Sequence, residues 1–572
     1  MKGERGMLVD YLMNYGLWCD ADLPEEDAQE LFAIKNNDEE LKGRFGAELQ
    51  FGTAGMRGIM GIGSNRLNRY TVRRAAQGMA AWLTGTDLPK KAAIGYDSRH
   101  NSQLFAQVCA VAFAEAGIRT YLFDRLAPTP MLSFAVRELG CGCGIVISAS
   151  HNAGAYNGVK CYGPDGCQMT DEPAAVVTDR ISQIPYFVPE KKPFEAFVDD
   201  GMICYIGQDL WEKYYCTVLA EAVDSDAIRK AKLQIVYTPL CGTGNEPVRE
   251  VLGRLGVDIA VVSCQEKPDG DFKTCEYPNP ETDAALNESY KVADNAPCDV
   301  IIGTDPDCDR VAIAVPTSDG YQKLSGNELG CLLMDYVLKA RRNNNDIPDN
   351  AIVVRSIVSS PLADRIAEHY GVTMKSVLTG FKYIGGEILE LEKAGQEDKF
   401  IFGFEESCGY LKGTYARDKD AVVASMLVCE LAAVLKLQGK TILDALDELY
   451  AQHGQYLAYV QSIELFGSDA MEMAAAMMSE LRENSPAAIG GAAVTAVRDY
   501  RSGVAKNLTT GEETLISLPK SNVLEFVLGG QGSVIARPSG TEPKVKFYYT
   551  AVANTKEQAQ ALLDAMIAQM SK

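Results

Sequence analysis

The sequence predicts an α/β fold of three consecutive related α/β domains with mixed, mostly parallel sheets and a smaller C-terminal α+β domain, arranged around one central cleft. Three observations predict it. A strand–helix–strand–helix–strand pattern occurs three times, beginning near Lys91, Leu233 and Ala351. The third strand of each repeat runs into a polar loop, and the three loops differ. After about residue 450 the helical periodicity gives way to two-residue alternation, which is typical of an antiparallel sheet.

The first repeat sets the order of elements for the other two. Its first strand starts at Lys91, an apolar-faced helix follows, and a second strand covers residues 118–124. Another helix leads to a third strand that ends at the serine-containing segment 146–166. Short β-branched runs that alternate with helical periodicity predict parallel strands with helices on both faces. Ligands bind at the carboxyl ends of such strands, so we expect the three polar loops to contribute different parts of one cleft.

The domain boundaries follow from these repeats. We place the N-terminal extension and serine loop in residues 1–208, the aspartate loop in 209–322 and the glutamate loop in 323–450. Residues 451–572 form the C-terminal domain, which ends in an amphipathic helix after several alternating strands. A chain of 572 residues is too long for one core, because domains cluster at about 100–150 residues.

Composition excludes several classes of function. The chain carries a net charge of −22, which argues against nucleic-acid binding and against binding to anionic membranes. Its 16 cysteines are scattered and lack zinc-ribbon spacing, so we expect reduced thiols in the core. The N-terminal sequence lacks the apolar region of a signal peptide, and no run of about 18 apolar residues occurs. These features predict a cytoplasmic protein that does not bind a membrane.

The segment GTDPDCDR places three aspartates after an apolar strand. Asp305, Asp307 and Asp309 would repel one another strongly unless a cation neutralised them, and hard oxygen ligands suit Mg²⁺. An EF-hand is excluded because Arg310 and Pro316 occupy its sixth and twelfth positions. A haloacid-dehalogenase-type phosphatase motif fits superficially, although two residues separate its first aspartate from the strand. A solvated acidic turn without function is the other alternative.

The segment VISASHNAGAYNGVKCYGPDG places Ser150 and His151 on a glycine-rich turn after a strand. A serine hydroxyl is a poor nucleophile without a base, a metal or prior modification. The G-x-S-x-G elbow of serine hydrolases is absent here. An alkaline-phosphatase-like metal site would need several histidines, and the chain has four in total. A polar turn remains the alternative, but the pattern favours a hydroxyl that is accessible from outside.

Three further loops carry polar side chains. Glu405 and Ser407 in GFEESCGY offer acceptors for sugar hydroxyls, although a solvated turn explains this segment better when it is taken alone. Arg57 lies on the glycine-rich segment FGTAGMRG near the start of the chain. The segment ARPSGTEPKVK clusters hydrogen-bond donors that suit a phosphate group, and these donors are Arg537, Ser539, Gly540 and Thr541.

Taken together, these loops resemble the α-D-phosphohexomutase superfamily. The matching segments are FGTAGMRG, SASHNAGAYNGVK, DPDCDR, GFEESCGY and RPSGTEPK, in that order, and the resemblance covers the chain from about residue 50 to the end. Within the superfamily, the sequence is most similar to the branch of α-phosphoglucomutases and phosphopentomutases. One departure is Ala153, where the family usually has proline after SHN. No reacting group is lost by that change.

The resemblance implies a role for each loop. Ser150 would be carried as a phosphoserine, and its phosphate with Asp305, Asp307 and Asp309 would hold Mg²⁺. Lys160 would act as general acid/base, with Lys419 as the competing candidate, and burial near Arg310 and Mg²⁺ would lower the pKa of Lys160. The remaining implied site residues are His151 and Arg57 for catalysis, Glu405 and Ser407 for the sugar 3- and 4-hydroxyls, and Arg310, Arg537, Ser539, Gly540 and Thr541 for binding the substrate and its phosphate.

The implied activity is the interconversion of glucose 1-phosphate and glucose 6-phosphate. It would need Mg²⁺, with glucose 1,6-bisphosphate as intermediate and activator, and the partners would be small sugar phosphates. The chain would be a monomer or a homodimer. Mannose or pentose phosphates, a sugar-bisphosphate synthase, an inactive sugar-phosphate sensor and a phosphatase are the alternatives.

Overall fold

The computed structural model describes residues 10–52, 55–466, 470–539 and 544–571. The chain divides into two compact units. Unit 1 holds the described residues up to Lys323 together with Gly385–Lys393 and Gly409–Ala433. Unit 2 holds Leu324–Ile384, Ala394–Cys408 and the described residues from Val434 onwards. The four domain boundaries expected from the sequence stay predictions.

The N-terminal part of unit 1 contains one mixed sheet and its helices. The strands are β1 (Gly55–Ile59), β2 (Lys91–Tyr96), β3 (Arg119–Phe123), β4 (Cys143–Ile147), β5 (Tyr156–Tyr162) and β6 (Ile203–Ile206). The helices are α1 (Tyr11–Cys19), α2 (Glu25–Ile34), α3 (Asp38–Phe45), α4 (Arg69–Thr84), α5 (Ser102–Glu115), α6 (Thr129–Glu138), α7 (Asp171–Ser182), α8 (Phe194–Asp199), α9 (Gln208–Ala220) and α10 (Ser225–Ala231). The strand order is β1-β5-β4-β2-β3-β6.

This sheet combines parallel and antiparallel pairs. The strand β2 is parallel to β3 and β4, as the repeat predicts. The strand β5 is antiparallel to both β4 and β1, and the sequence analysis did not identify this return strand. As a result, the serine loop is the turn between two antiparallel strands.

The second sheet of unit 1 repeats this design. Its strands are β7 (Gln234–Thr238), β8 (Asp258–Val261), β9 (Val300–Thr304), β10 (Val311–Thr317) and β11 (Gly320–Lys323), and its helices are α11 (Asn245–Leu255), α12 (Ser263–Glu266) and α13 (Asp283–Ala293). The order is β11-β10-β9-β7-β8, with β7 parallel to β8 and β9 and with β10 antiparallel to β9. The aspartate loop is therefore also a turn between antiparallel strands.

Apolar side chains fix the first sheet against its helices. Ile94 of β2, Phe113 of α5 and Ile145 of β4 are fully buried in one cluster. Each fully buried large apolar side chain contributes about 1.5–3 kcal/mol to folding relative to an exposed one. The ends of the strands, and so the polar loops that follow them, are held by this packing.

The third repeat continues the chain. It contributes α14 (Gly326–Asn343), β12 (Ile352–Ser356), α15 (Leu362–Tyr370), β13 (Thr373–Val377), α16 (Phe381–Lys393), β14 (Phe400–Glu405), β15 (Gly409–Lys412), α17 (Ala421–Leu437) and α18 (Ile442–His453). Within unit 2, β12 is parallel to β13 and β14. Glu405 is the last residue of β14, so the glutamate loop also begins at the carboxyl end of a strand.

The C-terminal region is antiparallel. Its elements are β16 (Gln455–Glu464), α19 (Ala470–Glu483), β17 (Ala488–Ile489), β18 (Ala492–Ala493), β19 (Ala496–Asp499), β20 (Val504–Asn507), β21 (Glu513–Leu515), β22 (Leu524–Val527), β23 (Gly532–Pro538), β24 (Lys544–Ala553) and α20 (Lys556–Met570). The main sheet has the order β16-β24-β23-β22-β19-β20-β21. Val358 and Leu378 share an apolar cluster with Tyr500, Ile535 and Tyr548, so side chains of the third repeat and of the C-terminal region pack together in unit 2.

The predicted three-fold α/β arrangement with an antiparallel C-terminal sheet is confirmed. Across the described residues, no single helix combines the length and apolar content needed to cross a bilayer. Within those residues, only α17 and α18 taken together have the required length and apolar content, and the chain bends by 87° between these two helices.

Candidate active site

The serine loop presents Ser150 in an unusual backbone conformation. Ser150 lies three residues past β4 with φ of 53°, in the left-handed region that residues other than glycine seldom adopt. Its N–H donates to Ser148 Oγ at 2.8 Å, and its hydroxyl donates to Asp305 Oδ2 at 2.8 Å. Ser150 is only 2% exposed. The expectation of an accessible hydroxyl is therefore wrong for this structure, because the aspartate loop covers it.

Two predicted residues flank Ser150. His151 Nδ1 lies 3.2 Å from Ser150 Oγ. Burial, followed by the nearby Arg310 and Arg57, lowers the pKa of His151 well below its usual value, so the imidazole is neutral at pH 7. Arg57, exposed on β1, donates to Asn152 Oδ1 at 3.0 Å. The structure thus brings both residues to the serine loop.

The aspartate loop holds its three carboxylates in a compact, buried group. Asp305 Oδ1 accepts the backbone N–H groups of Asp309 and Arg310, each at 3.0 Å. Cys308, with φ of 54°, makes the tight reversal between them. Carboxylate oxygens of Asp305, Asp307 and Asp309 lie within 4.8 Å of one another, and all three residues are buried.

The charges of this group fit a divalent cation. Burial, then the charges of Asp309 and Asp307, raise the pKa of Asp305 well above its usual value. Asp307 Oδ1 and Asp309 Oδ1 are buried without a hydrogen-bond partner. Two like charges about 5 Å apart repel by roughly 3 kcal/mol at an effective dielectric constant of about 20. Unpartnered carboxylate oxygens in a buried group are the donor set that a hard cation such as Mg²⁺ takes.

Two lysines contact this group and share Asp309. Lys160, on β5, contacts Asp307 Oδ2 and lies 3.1 Å from Asp309 Oδ2. Lys419 Nζ lies 3.3 Å from Asp309 Oδ2 and 3.0 Å from Asp418 Oδ1. Burial alone would lower the pKa of Lys160, but Asp307 and Asp309 outweigh it and raise that pKa. The expected fall in the pKa of Lys160 is therefore not found.

Arg310 lies at the edge of this group. Its Nη1 donates to Glu281 Oε1 at 3.0 Å, and its Nε lies 3.7 Å from Asp309 Oδ1. The residue is half-buried, so its guanidinium combines an anchoring contact with partial access to solvent.

Sequence reasoning missed several residues that support the site. Thr129 donates to Asp307 Oδ2 at 2.9 Å, and Tyr162 donates to Asp418 Oδ2 at 2.8 Å. Nothing in the local sequence around Thr129 signals this contact. Asp418 could have been found from its place beside Lys419 in ARDKD.

In unit 2, the glutamate loop begins with two carboxylates. Glu405 is buried, and its Oε1 accepts the Gly380 N–H at 2.6 Å. Glu406 Oε2 accepts the Ser356 hydroxyl at 3.0 Å. Ser407 is half-buried in the same loop. The loop is therefore held by its own strand neighbours, as a binding loop requires.

The predicted phosphate-binding loop of unit 2 starts at the end of β23. Arg537 is half-buried, and on the neighbouring strand β24 Tyr548 lies two residues from Lys546, which pairs with Arg537. Burial and then Glu406 raise the pKa of Tyr548 to about 12, so Tyr548 lies beside both Arg537 and the glutamate loop. The Ser539 N–H donates to Lys544 O at 2.9 Å. Gly540 and Thr541, also predicted here, lie outside the described residues.

Changing Arg537 to lysine tests the predicted role of this loop. We expect a higher KM for the sugar phosphate and a slower turnover, because lysine cannot reproduce the bidentate donors of arginine. Steady-state kinetics measure both values. The matched control is Arg498→Lys, which changes an arginine of the same sheet paired with Glu525 at 3.0 Å. Equal kinetics in both variants would assign phosphate binding elsewhere.

Comparisons with known proteins cover most of the chain. Models of the phosphoglucomutase/phosphomannomutase family match in chain order, with alpha/beta/alpha domain I over residues 48–186, domain II over 213–320, domain III over 325–453 and the C-terminal domain over 484–569. A phosphoglucomutase of Staphylococcus haemolyticus is 37% identical over 519 residues, which cover 90% of this chain and 92% of that protein. One of Staphylococcus epidermidis is 36% identical over 533 residues, which cover 93% and 95%.

A solved structure shares the fold. The Paramecium phosphoprotein parafusin, a phosphoglucomutase in its open form, aligns with a TM-score of 0.64 at 16% identity, covering 92% of this chain and 94% of that one. Four family models in order and relatives above one-third identity over most of their length lead to one conclusion. The chain belongs to the α-D-phosphohexomutase superfamily, in the family of phosphoglucomutases and phosphomannomutases.

Proposed function

We propose that this protein interconverts glucose 1-phosphate and glucose 6-phosphate through a phosphoserine at Ser150. The observation that carries the proposal is the 2.8 Å hydrogen bond from the Ser150 hydroxyl to Asp305, within a buried group of three carboxylates. The choice of glucose rests on the relatives, which are named phosphoglucomutases.

The reaction would use Ser150 twice. In the first step, the phosphorus–oxygen bond at phosphorylated Ser150 breaks as a hydroxyl oxygen of the sugar monophosphate forms a new bond to phosphorus. The hydroxyl proton passes to a base, the Ser150 oxygen takes up a proton, and the product is glucose 1,6-bisphosphate. In the second step, Ser150 takes the other phosphoryl group from the bisphosphate, and the isomeric monophosphate leaves.

Positioning and charge dominate phosphoryl transfer, and the buried group supplies both. Asp305, Asp307 and Asp309 would hold Mg²⁺ together with the phosphate carried on Ser150. When bound, the cation would neutralise negative charge on the transferred group. Arg310 and Arg57 add positive charge beside the serine loop. Burial of Ser150 disfavours attack by water, which favours transfer to a sugar over hydrolysis.

We assign the proton transfer to Lys160 and Lys419, whose ammonium groups lie 3.1 and 3.3 Å from the same oxygen of Asp309. The glutamate loop and the loop that follows β23 would bind the substrate. Glu405 and Ser407 would take the sugar hydroxyls, and Arg537, Ser539, Gly540 and Thr541 would hold the phosphate that is not transferred. We further propose a cytoplasmic protein, because all 16 cysteines are free thiols and free thiols are typical of reducing compartments.

Changing each lysine to methionine separates their roles. Methionine is unbranched like lysine and one atom shorter, and it carries neither the proton nor the charge. We expect Lys160→Met and Lys419→Met each to slow phosphoryl transfer by about 10²–10⁴-fold, as loss of general acid–base catalysis does, while Ser150 can still be phosphorylated. Rapid-quench kinetics with prephosphorylated enzyme measure the transfer step. The control is Lys412→Met, which removes a buried lysine paired with Glu221.

A side-by-side assay tests the proposed activity. The protein, with Mg²⁺ and a trace of glucose 1,6-bisphosphate, is given the 1-phosphates of glucose, mannose, ribose and N-acetylglucosamine. We expect glucose 1-phosphate to give the highest kcat/KM and glucose 6-phosphate as the product. Release of free phosphate as the main product, or a preference for another sugar, would contradict the proposal.

A further inference from the structure

Arg99 donates several hydrogen bonds to the backbone of the serine loop. It lies three residues past the end of β2, and its side chain is fully buried. Nη2 donates to the carbonyl oxygen of Ser150 at 2.6 Å and to that of Asn152. Nη1 donates to the carbonyl oxygens of Ala153 and Tyr156 at 2.9 and 3.0 Å. One guanidinium therefore donates hydrogen bonds to four carbonyl groups of a single turn.

The guanidinium is itself anchored on its other side. Its Nε lies 3.2 Å from Asp97 Oδ2. Asp97 Oδ1 accepts the Arg99 N–H at 3.0 Å and the Ser102 hydroxyl at 2.7 Å. The ring centroid of Phe272 lies 4.9 Å from Arg99 Cζ, which closes the remaining face. The orientation of the guanidinium is thus fixed by Asp97, in the loop between β2 and α5, and by Phe272.

This anchor lies where the serine loop needs support. Ser150 has φ of 53°, a conformation that persists in a residue other than glycine only where the surroundings impose it. Buried carbonyl groups without a donor are costly. Removing the guanidinium would take a donor from the buried carbonyl of Ser150 and from three partly buried ones, of which that of Ala153 would keep the Tyr156 N–H. Lysine offers a single ammonium group and cannot span them.

We propose that Arg99 is a positioning residue for phosphoryl transfer, which holds the Ser150 backbone so that its hydroxyl points at Asp305. The proposal rests on the proposed function of Ser150 as phosphoryl carrier. Arg99 acts through carbonyl groups of the loop and is not assigned a contact with the sugar. Its loss therefore acts on the transfer step and leaves substrate binding nearly unchanged.

The test compares Arg99→Lys with a matched control, Arg73→Lys. Arg73 is also a buried arginine of the same region, and it donates to Glu115 Oε2 at 2.7 Å. Circular dichroism and thermal unfolding give the folded fraction, and rates are expressed per folded protein. Steady-state kinetics with glucose 1-phosphate give kcat and KM, and intact mass after incubation with glucose 1,6-bisphosphate gives the phosphorylation of Ser150.

We expect Arg99→Lys to lower kcat at least about 30-fold, to change KM less than about threefold and to slow the phosphorylation of Ser150. Arg73→Lys should keep both kinetic values within about threefold. Arg99→Ala should regain activity on addition of methylguanidinium, whereas the activity of Arg73→Ala should not change on that addition. A kcat in Arg99→Lys equal to that of Arg73→Lys, a rise in KM alone, or an unfolded Arg99→Lys beside a folded Arg73→Lys would overturn the proposal.

Failure of the proposal can be told apart from failure of the proposed function by one more variant. If Ser150→Ala is inactive while the Arg99 variants turn over normally, only the role of Arg99 is wrong. If Ser150→Ala remains active, the phosphoserine function is wrong, and the role of Arg99 in it falls with it.

Discussion

Replacing Ser150 with alanine is expected to reduce mutase turnover by at least about 10⁴-fold, since the variant lacks the oxygen that must accept and return the phosphoryl group. The effect falls on kcat, because the loops assigned to sugar and phosphate binding are untouched. Coupled measurement of glucose 6-phosphate formation gives the rate. The free energy of unfolding should fall by only about 1 kcal/mol, which is typical for the loss of one hydrogen bond.

The control for this variant is Ser64→Ala. Ser64 is a fully buried serine of unit 1 whose hydroxyl donates to Ala47 O at 2.8 Å. The Ser64→Ala variant should lose a similar amount of stability and keep the turnover of the unchanged protein. Turnover of Ser150→Ala within tenfold of this control would rule out Ser150 as the phosphoryl carrier.

The second large effect concerns the carboxylate group. We expect Asp307→Asn to lower kcat by about 10²-fold or more and to weaken Mg²⁺ binding, because one of the three charges that attract the cation is lost. Excess chelator should abolish activity of the unchanged protein, and added Mg²⁺ should restore it. Isothermal titration calorimetry with Mg²⁺ or Mn²⁺ measures binding independently of turnover.

The control here is Glu430→Gln. Glu430 is a fully buried carboxylate of α17 that accepts the Val223 N–H at 2.9 Å. Burial raises the pKa of Glu430 to about 7, so its neutral amide analogue should be tolerated. Full activity of the unchanged protein in excess chelator, or unchanged cation affinity in Asp307→Asn, would contradict a metal site at these aspartates.

Much of the site could be predicted from the sequence because local patterns encode it. The strands that precede Ser150, Asp305 and Glu405 are short apolar runs, and polar residues follow each of them directly. Parallel strands place such loops at one edge of a sheet. The alternation of three aspartates was enough to predict a cation-binding group, because few other arrangements tolerate that charge density.

Other features depend on contacts between distant parts of the chain. The burial of Ser150 arises from its bond to Asp305, 155 positions away. The raised pKa of Lys160 arises from Asp307 and Asp309, which β5 and the aspartate loop bring together. In the sequence, nothing distinguishes Arg99 from any other polar residue that follows a strand. Its four carbonyl partners become visible only once the serine loop has folded around it.

The most direct test of the central claim is to locate the phosphoryl group on the protein. The protein is incubated with glucose 1,6-bisphosphate, and intact mass and peptide mapping are recorded before and after a chase with glucose 1-phosphate. We predict a gain of one phosphoryl group on Ser150, which the chase transfers to sugar. A phosphoryl group on another residue, or none while turnover continues, would contradict the mechanism.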